Sequence, residues 1–384
     1  MSLIYLDNAA TSWPKPEAVY NAVDRFMRQI GASPGRSAHK LGLQASRIIY
    51  HTRELLAQLF HTRDSSHIIF TASATEALNL ALKGLLSPGD HIITTSIEHN
   101  SVMRPLRFLE KSRPLEVSVI GLSEKCSIDF SSLESSIRKN TRLIVVNHAS
   151  NVTGDIMPSG EIGALARAHK INFLLDAAQT AGIVPIDVES NHIDLLAFTG
   201  HKGLFGPQGT GGLYIKPGIN LRPLTEGGTG SYSEFEEQPS FLPDKFESGT
   251  LNAPGIAGLG AGIEFVLKEG VNNIRARGED LTRRLTRALE EIPDVLTYGS
   301  SATDNKIPII SFNIRGRDPA QIAEALSNKY EIMTRAGLHC SPTAHKTIGT
   351  FPQGTVRLSP GHFNKEEEID FVAECIARIA SEGR

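Results

Sequence analysis

The sequence predicts an α/β protein in which a large, mostly parallel sheet domain is followed by a smaller α+β domain. Three observations carry this prediction. At 384 residues the chain exceeds the length one core usually sustains, so two domains are expected. Between residues 60 and 216, short apolar runs alternate with amphipathic stretches, the pattern of βα units in a parallel sheet. Each run is followed by a polar cluster, and open α/β sheets bind ligands outside the carboxyl ends of their strands.

An N-terminal arm over residues 1–15 precedes the large domain, placed at 16–256. Its strands are expected at 68–70, 91–95, 143–146, 173–175 and 195–198, with helices between them at 76–86, 102–111, 132–139 and 161–169. A further strand, Leu213-Tyr214-Ile215, follows a glycine-rich turn at 206–212. The small domain, 257–384, begins with a long helical stretch through Gly278 to Leu289. Strands follow near 307–314 and 330–335, with a helix opened by Asp318-Pro319 and a final helix capped by Asn364. The polar segment 227–243 lacks apolar periodicity and is expected to be a mobile loop.

Composition excludes several classes. Hydrophobic content of 40% and charged content of 21% are those of a soluble globular protein, and no run approaches the length of a membrane span. The first residues have no basic head of a secretory signal, which places the protein in the cytoplasm. A net charge of −3 without a basic block argues against nucleic acid as a partner. Three widely spaced cysteines, Cys126, Cys340 and Cys375, provide neither a zinc motif nor a disulfide framework, and the 13 histidines include no HExxH pair, so no metal is expected.

The polar clusters at the strand ends are Ser73-Ala74-Thr75-Glu76, Glu98-His99-Asn100, Asn147 to Asn151, Asp176 with Gln179, and His201-Lys202. Lysine condenses with an aldehyde cofactor, and a buried acid keeps a pyridine nitrogen protonated as an electron sink. Lys202 and Asp176 together are therefore what a pyridoxal phosphate (PLP) enzyme needs. Ser73-Ala74-Thr75-Glu76 has the pattern of a capping box, whose free amides and helix dipole favour a phosphate. The loop Gly206-Pro207-Gln208-Gly209-Thr210-Gly211-Gly212 lacks the Gly-Lys-Ser/Thr of a P-loop and leads into a strand, so its glycines are expected to let the chain pass close to a ligand.

With these segments in order, the chain resembles the fold-type I PLP enzymes of aminotransferase class V. Within that class it is similar to the cysteine desulfurases and selenocysteine lyases with the short Arg-x-Gly-x-His-Cys motif. The resemblance runs nearly end to end, through Tyr5-Leu6-Asp7-Asn8-Ala9-Ala10-Thr11, Ala74 to Asn79, Glu98-His99-Asn100, Ser150 to Gly154, Asp176 to Gln179, Gly200-His201-Lys202, Phe246 to Thr250 and Arg335 to Cys340. It implies Lys202 as the Schiff-base lysine, Asp176 at the pyridine nitrogen, Gln179 at the phenolic oxygen, His99 stacked on the ring and Asn151 beside it. Ala74, Thr75, Thr199 and His201 correspond to the phosphate site. Thr250 is implied to reach the phosphate from the other subunit of a homodimer, and Arg357, assisted by Arg335, to hold the substrate carboxylate in a two-pronged contact.

The reaction type turns on Cys340. Cys375 falls in register with Ile369, Val372, Ile376 and Ile379 on an apolar stripe, and Cys126 lies in a polar connection. Cys340 instead sits in a turn-rich segment flanked by Arg335, His339 and His345, cationic groups that favour thiolate. The resemblance thus implies release of alanine from L-cysteine, with a persulfide left on Cys340 for an acceptor protein, as in iron–sulfur cluster assembly, and His99 as proton shuttle. Leu338, Ser341 and Ala177 depart from the common pattern, and selenocysteine lyases share the scaffold. Two alternatives keep the same lysine: an aminotransferase or β-lyase for another small amino acid, and a non-catalytic PLP-binding protein.

Overall fold

The computed structural model describes residues 3–35, 38–123, 127–300 and 305–382; Cys126 and its neighbours lie outside them. After a short strand β1 (Ile4–Tyr5), helices α1 (Glu17–Arg25) and α2 (Lys40–Phe60) lead into the main sheet. Its strands are β2 (Ile68–Thr71), β3 (His91–Thr95), β4 (Glu116–Ile120), β5 (Thr141–Asn147), β6 (Asn172–Asp176), β7 (Leu195–Thr199) and β8 (Gly211–Ile215), in spatial order β2-β8-β7-β6-β5-β3-β4. Only β8 runs against its neighbours. The connecting helices include α3 (Ala74–Leu85), α4 (Asn100–Ser112), α5 (Phe130–Ser135) and α6 (Ser159–Ala168). Helix α5 is shorter than the expected 132–139. Asp129 caps it through the amides of Ser131 and Ser132, and its serines, poor residues for a helix interior, do not carry it past Ser135.

Strand alternation sorts the core into two layers. Ile68, Ile93, Ile144, Val146, Phe173, Leu175, Leu196 and Phe198 face one side, with α2 and α6. Ile69, Ile92, Leu143, Val145, Leu174, Leu195 and Ala197 face the other, with α3 and α4. Both faces of the central strands are thereby buried, which is why they read as continuous apolar runs.

The glycines of the 206–212 turn serve packing within the chain. A β-carbon on Gly211 would lie 2.8 Å from the Phe198 carbonyl oxygen and 2.8 Å from the Ser73 carbonyl carbon, so this strand start presses on the loop that opens α3. Gly209, at φ +77°, supplies the left-handed turn residue.

Helix α7 (Ala253–Glu269) runs across residue 257 without a break, and its Leu259, Ile263 and Val266 join the core shared with α2. Gly270, at φ +82°, ends it, and α8 (Val271–Glu290) begins, so the long helical stretch is two helices. Next come β9 (Val295–Tyr298), β10 (Ile310–Ile314), α9 (Pro319–Tyr330), β11 (Ile332–Met333), β12 (Arg335–Gly337), α10 (Pro342–Thr347), β13 (Thr355–Leu358) and α11 (Glu366–Ser381). An antiparallel sheet β12-β13-β10-β9 packs on α8, α9 and α11 through Leu285, Phe312, Leu326, Val356, Ile369 and Ile376, and Cys375 is buried in that core. Asp318 caps α9 as expected. For α11 the capping position is Lys365, whose amide bonds Glu368, while Asn364 accepts from the Gly361 amide and donates to Glu368.

The N-terminal arm joins the two sheets. β1 pairs in parallel with β11, the Ser359 amide donates to the Leu6 carbonyl, and the Ser12 amide donates to the His201 carbonyl. Among the described residues no helix is long and apolar enough to cross a membrane.

Candidate active site

The direction of strand succession reverses between β3 and β5. The chain goes outward from β3 to β4, then returns past β3 to β5 and proceeds the other way. Such a reversal opens a crevice at the carboxyl ends of the strands, and the predicted clusters meet there. Ser73, Ala74, Thr75, His99, Asn147, Asn151, Asp176, Gln179, Thr199, His201 and Lys202 line one cavity of about 100 Å³.

At one end lies the start of α3. The Ser73 hydroxyl accepts from the Glu76 amide at 3.3 Å, and Glu76 reaches back to the Ala72 amide at 2.7 Å. The first intrahelical bond is Ala77 to Ser73, so the amides of Ala74 and Thr75 precede the helix ladder and provide donors for an anion. Thr199 is buried, and the buried Nδ1 of His201 has no partner among the described residues.

Lys202 follows β7. Desolvation, helped by the charge of Arg357, lowers its amine to about 8. Asp176 ends β6 and accepts from the Ala178 amide at 2.9 Å; burial raises its carboxyl above the usual range. Gln179 donates to the Ala9 carbonyl of the arm at 3.1 Å. His99 caps α4 by accepting the Ser101 amide on Nδ1 at 3.0 Å, which assigns the ring proton to Nε2. Desolvation, reinforced by the charge of Lys202, holds this imidazole neutral with a pKa of about 4.

The small sheet contributes two arginines. Arg335 and Arg357 are cross-strand partners on β12 and β13. Arg357 is 1% exposed; its Nη2 pairs with Asp7 Oδ1 at 2.9 Å, its Nη1 donates to the Asn151 carbonyl at 3.0 Å, and its buried Nε has no partner among the described residues. Like charges opposite one another repel, so this pair favours an anion between them. Arg335 Nη2 also lies 4.0 Å from Cys340 Sγ, and Cys340 is exposed. The histidines beside it supply no charge. Burial, ahead of the Arg357 charge, lowers His339 to about 2, and burial lowers His345 to about 4, so the cations near the thiol are arginines.

Thr250 does not line the Lys202 cavity. It is exposed and borders a separate cavity of about 430 Å³ with Arg53 and Glu247. Those two form a buried two-pronged ion pair, 2.8 and 2.9 Å, and Glu247 also accepts the Phe70 amide at 2.7 Å. The pair fixes the segment carrying Thr250 to α2 and β2.

Four residues that support the site or its surroundings had no role assigned from sequence: Asp7, Glu98 and Ser341 around the Lys202 cavity, and Arg53 beneath Thr250. Asp7 and Glu98 lay inside recognised motifs, and a charge on the apolar stripe of α2 was the available signal for Arg53. Glu98 is fully buried. Its Oε1 accepts from Thr95 Oγ1 at 2.6 Å and from the Asn147 amide at 3.0 Å, and burial raises its carboxyl to about 8, so it is protonated at neutral pH.

A parallel-sheet crevice with a lysine of lowered pKa facing a buried aspartate beside a helix amino terminus defines a class. The sequence profile of class-V aminotransferases matches residues 4–372, and the chain belongs to that family of PLP-dependent, fold-type I enzymes. It is 36% identical to a probable cysteine desulfurase of Methanothermobacter thermautotrophicus, over 99% of this chain and 95% of that one. It is 32% identical to a cysteine desulfurase of Escherichia coli O157:H7, over 99% and 94%. The structure matches an apo cysteine desulfurase from Thermococcus onnurineus with a TM-score of 0.91 at 33% identity, covering 98% of this chain and 94% of that one.

The residues present fit the family's cofactor. The free amides of α3 and the unpartnered His201 nitrogen suit a phosphate, the buried Asp176 carboxyl suits a protonated ring nitrogen, and the Lys202 amine suits an aldehyde.

Proposed function

We propose that this chain is a PLP-dependent cysteine desulfurase that releases alanine from L-cysteine and retains the sulfur as a persulfide on Cys340. The observation that carries the reading is the convergence of Lys202 and Asp176 in one cavity with Arg357 and exposed Cys340 brought to its edge by the small sheet, Arg357 through the Asn151 carbonyl and Cys340 through Arg335 and the Asn100 amide.

PLP, when bound at Lys202, would supply an electron sink that acidifies the α-hydrogen of an amino acid and weakens its carbon–sulfur bond. Ala74, Thr75, Thr199 and His201 would hold the phosphate, Asp176 the ring nitrogen and Gln179 the phenolic oxygen, with His99 and Asn151 beside the ring. Arg357 takes the substrate carboxylate with Arg335 beside it, and Asp7 keeps the guanidinium in place from behind. The Lys202 amine is a base of suitable strength for the α-hydrogen, since its pKa lies near the working pH. His99, neutral with its proton on Nε2, would hold or pass a proton at that nitrogen. The Cys340 thiolate attacks the substrate sulfur. The new sulfur–sulfur bond forms as the carbon–sulfur bond breaks, the electron pair stays with carbon, and protonation there leads to alanine.

Thr250, outside the lining of its own chain's Lys202 cavity, fits a homodimer in which each copy completes the other's phosphate site. The terminal sulfur then passes to an acceptor, the step iron–sulfur cluster assembly requires. One incubation with L-cysteine tests the proposal. Alanine and a Cys340 persulfide should appear together, and Cys340→Ser should abolish both beyond background; alanine formation at the full rate by Cys340→Ser would overturn it.

A further inference from the structure

Ser341 occupies the capping position of α10, yet its hydroxyl caps no helix amide. A serine there ordinarily accepts from the second or third helical amide. Here the side chain, at 0% exposure, donates to Asn151 Oδ1 at 2.7 Å instead. The local stabilisation of a cap is exchanged for a contact with the large domain.

That contact reaches both sides of the thiol. Asn151 Nδ2 donates to the His339 carbonyl at 2.7 Å, so one buried amide bonds the residue before Cys340 and the residue after it. The Cys340 carbonyl accepts from the Asn100 amide at 2.8 Å, and the Asn151 carbonyl accepts from Arg357 Nη1. His339 and Cys340 lie at φ +47° and +60°, left-handed conformations that residues with side chains keep only where their surroundings hold them.

The amide's orientation follows from its partners. A carbonyl oxygen only accepts, so His339 demands Nδ2. Oδ1 is then a buried acceptor, and the Ser341 hydroxyl satisfies it. We propose that Ser341 is a positioning residue for sulfur transfer. Its hydroxyl locks the Asn151 side-chain amide, and the locked amide holds the backbone on both sides of Cys340, while the main-chain carbonyl of the same Asn151 accepts from Arg357 Nη1. This rests on the reading of Cys340 as the sulfur-accepting thiol. Loss of the hydroxyl frees the amide to turn and lets the thiol leave its place beside Arg335.

The test is a double-mutant cycle with two readouts on wild type, Ser341→Ala, Asn151→Ala and the double variant. The first is single-turnover alanine formation from L-cysteine. The second, which needs no activity, is the rate of Cys340 alkylation by iodoacetamide in the cofactor-free protein at pH 7. Ser341→Ala should slow alanine formation about tenfold, the size of one lost buried hydrogen bond, and slow alkylation about threefold. The double variant should be no slower than Asn151→Ala in either assay. Ser341→Thr and Ser341→Val, alike in size, decide the matter if the alanine variant does not fold: threonine should keep both rates and valine lose them. Effects that multiply in the double variant, or a lowered Tm with both rates unchanged, would overturn the proposal. A wild type that makes no alanine refutes the desulfurase reading, and the alkylation cycle still decides the role of Ser341.

Discussion

The lowered pKa of Lys202 makes the rate of cofactor attachment a direct probe of the site. Only the unprotonated amine attacks an aldehyde. With a pKa of about 8 instead of 10.5, about one amine in ten is unprotonated at pH 7, about 300-fold more than for an ordinary lysine. Stopped-flow absorbance of cofactor-free protein mixed with PLP should therefore show a rate that rises with pH and levels off above about 8. After desolvation, the largest cause of the shift is the charge of Arg357, whereas Asp7 acts in the opposite direction. Arg357→Met removes the cation and leaves the anion, and both changes favour the protonated amine. The midpoint must then move up, each unit reducing the rate at pH 7 about tenfold. An unchanged or lower midpoint in Arg357→Met, or a wild-type midpoint near 10.5, would refute the electrostatic account of the site.

Glu98 offers a stability prediction. Its folded pKa, raised to about 8 from 4.5, means that its stabilising effect is complete below about 4.5 and is lost as pH rises through 8. Glu98→Gln keeps the acceptor without the charge. It should match wild type in urea denaturation at pH 4.5 and exceed it at pH 9 by on the order of 5 kcal/mol; equal stability at both pH values would count against burial as the cause. Asp7→Asn leaves a buried guanidinium without its counterion. Because Asp7 is itself 22% exposed, a loss of about 1–3 kcal/mol is expected in urea, partly restored by a non-reacting carboxylate such as acetate, and a loss below about 0.5 kcal/mol would show that solvent screens the pair. Gly211→Ala drives a methyl into backbone atoms of Ser73 and Phe198, so stability should fall by about 1–3 kcal/mol and PLP affinity with it, both read by titration; wild-type affinity would place the phosphate elsewhere.

The large sheet was legible because its central strands are buried on both faces, which writes them as unbroken apolar runs such as Leu143-Ile144-Val145-Val146. Strand β4 was not. It lies at the sheet edge, and only one of its five residues is buried. Helix α2 escaped notice although its apolar stripe is long, because no strand-end motif drew attention to residues 40–60. Gly270 splits what periodicity alone reads as one helical stretch, since a single residue at φ +82° ends a helix without disturbing the apolar pattern. The boundary inferred at residue 257 falls inside α7, a helix whose far half packs on the first core.

Within the site, Lys202, Asp176, Gln179, His99 and Thr75 were placed by residue type at strand ends. The partners that tune them were not, because Asp7 reaches Arg357 across 350 positions and Ser341 reaches Asn151 across 190. Residue type suggested that His339 and His345 charge the Cys340 environment. Burial makes them neutral instead, a property of packing that sequence spacing does not carry.

The central claim is a covalent bond between Lys202 and the cofactor aldehyde. Borohydride reduction of the PLP-loaded protein, followed by proteolysis and mass spectrometry, should find the pyridoxyl group on the peptide containing Lys202 and no reducible absorbance in Lys202→Ala. A pyridoxyl group on any other lysine, or none at all, would contradict the account.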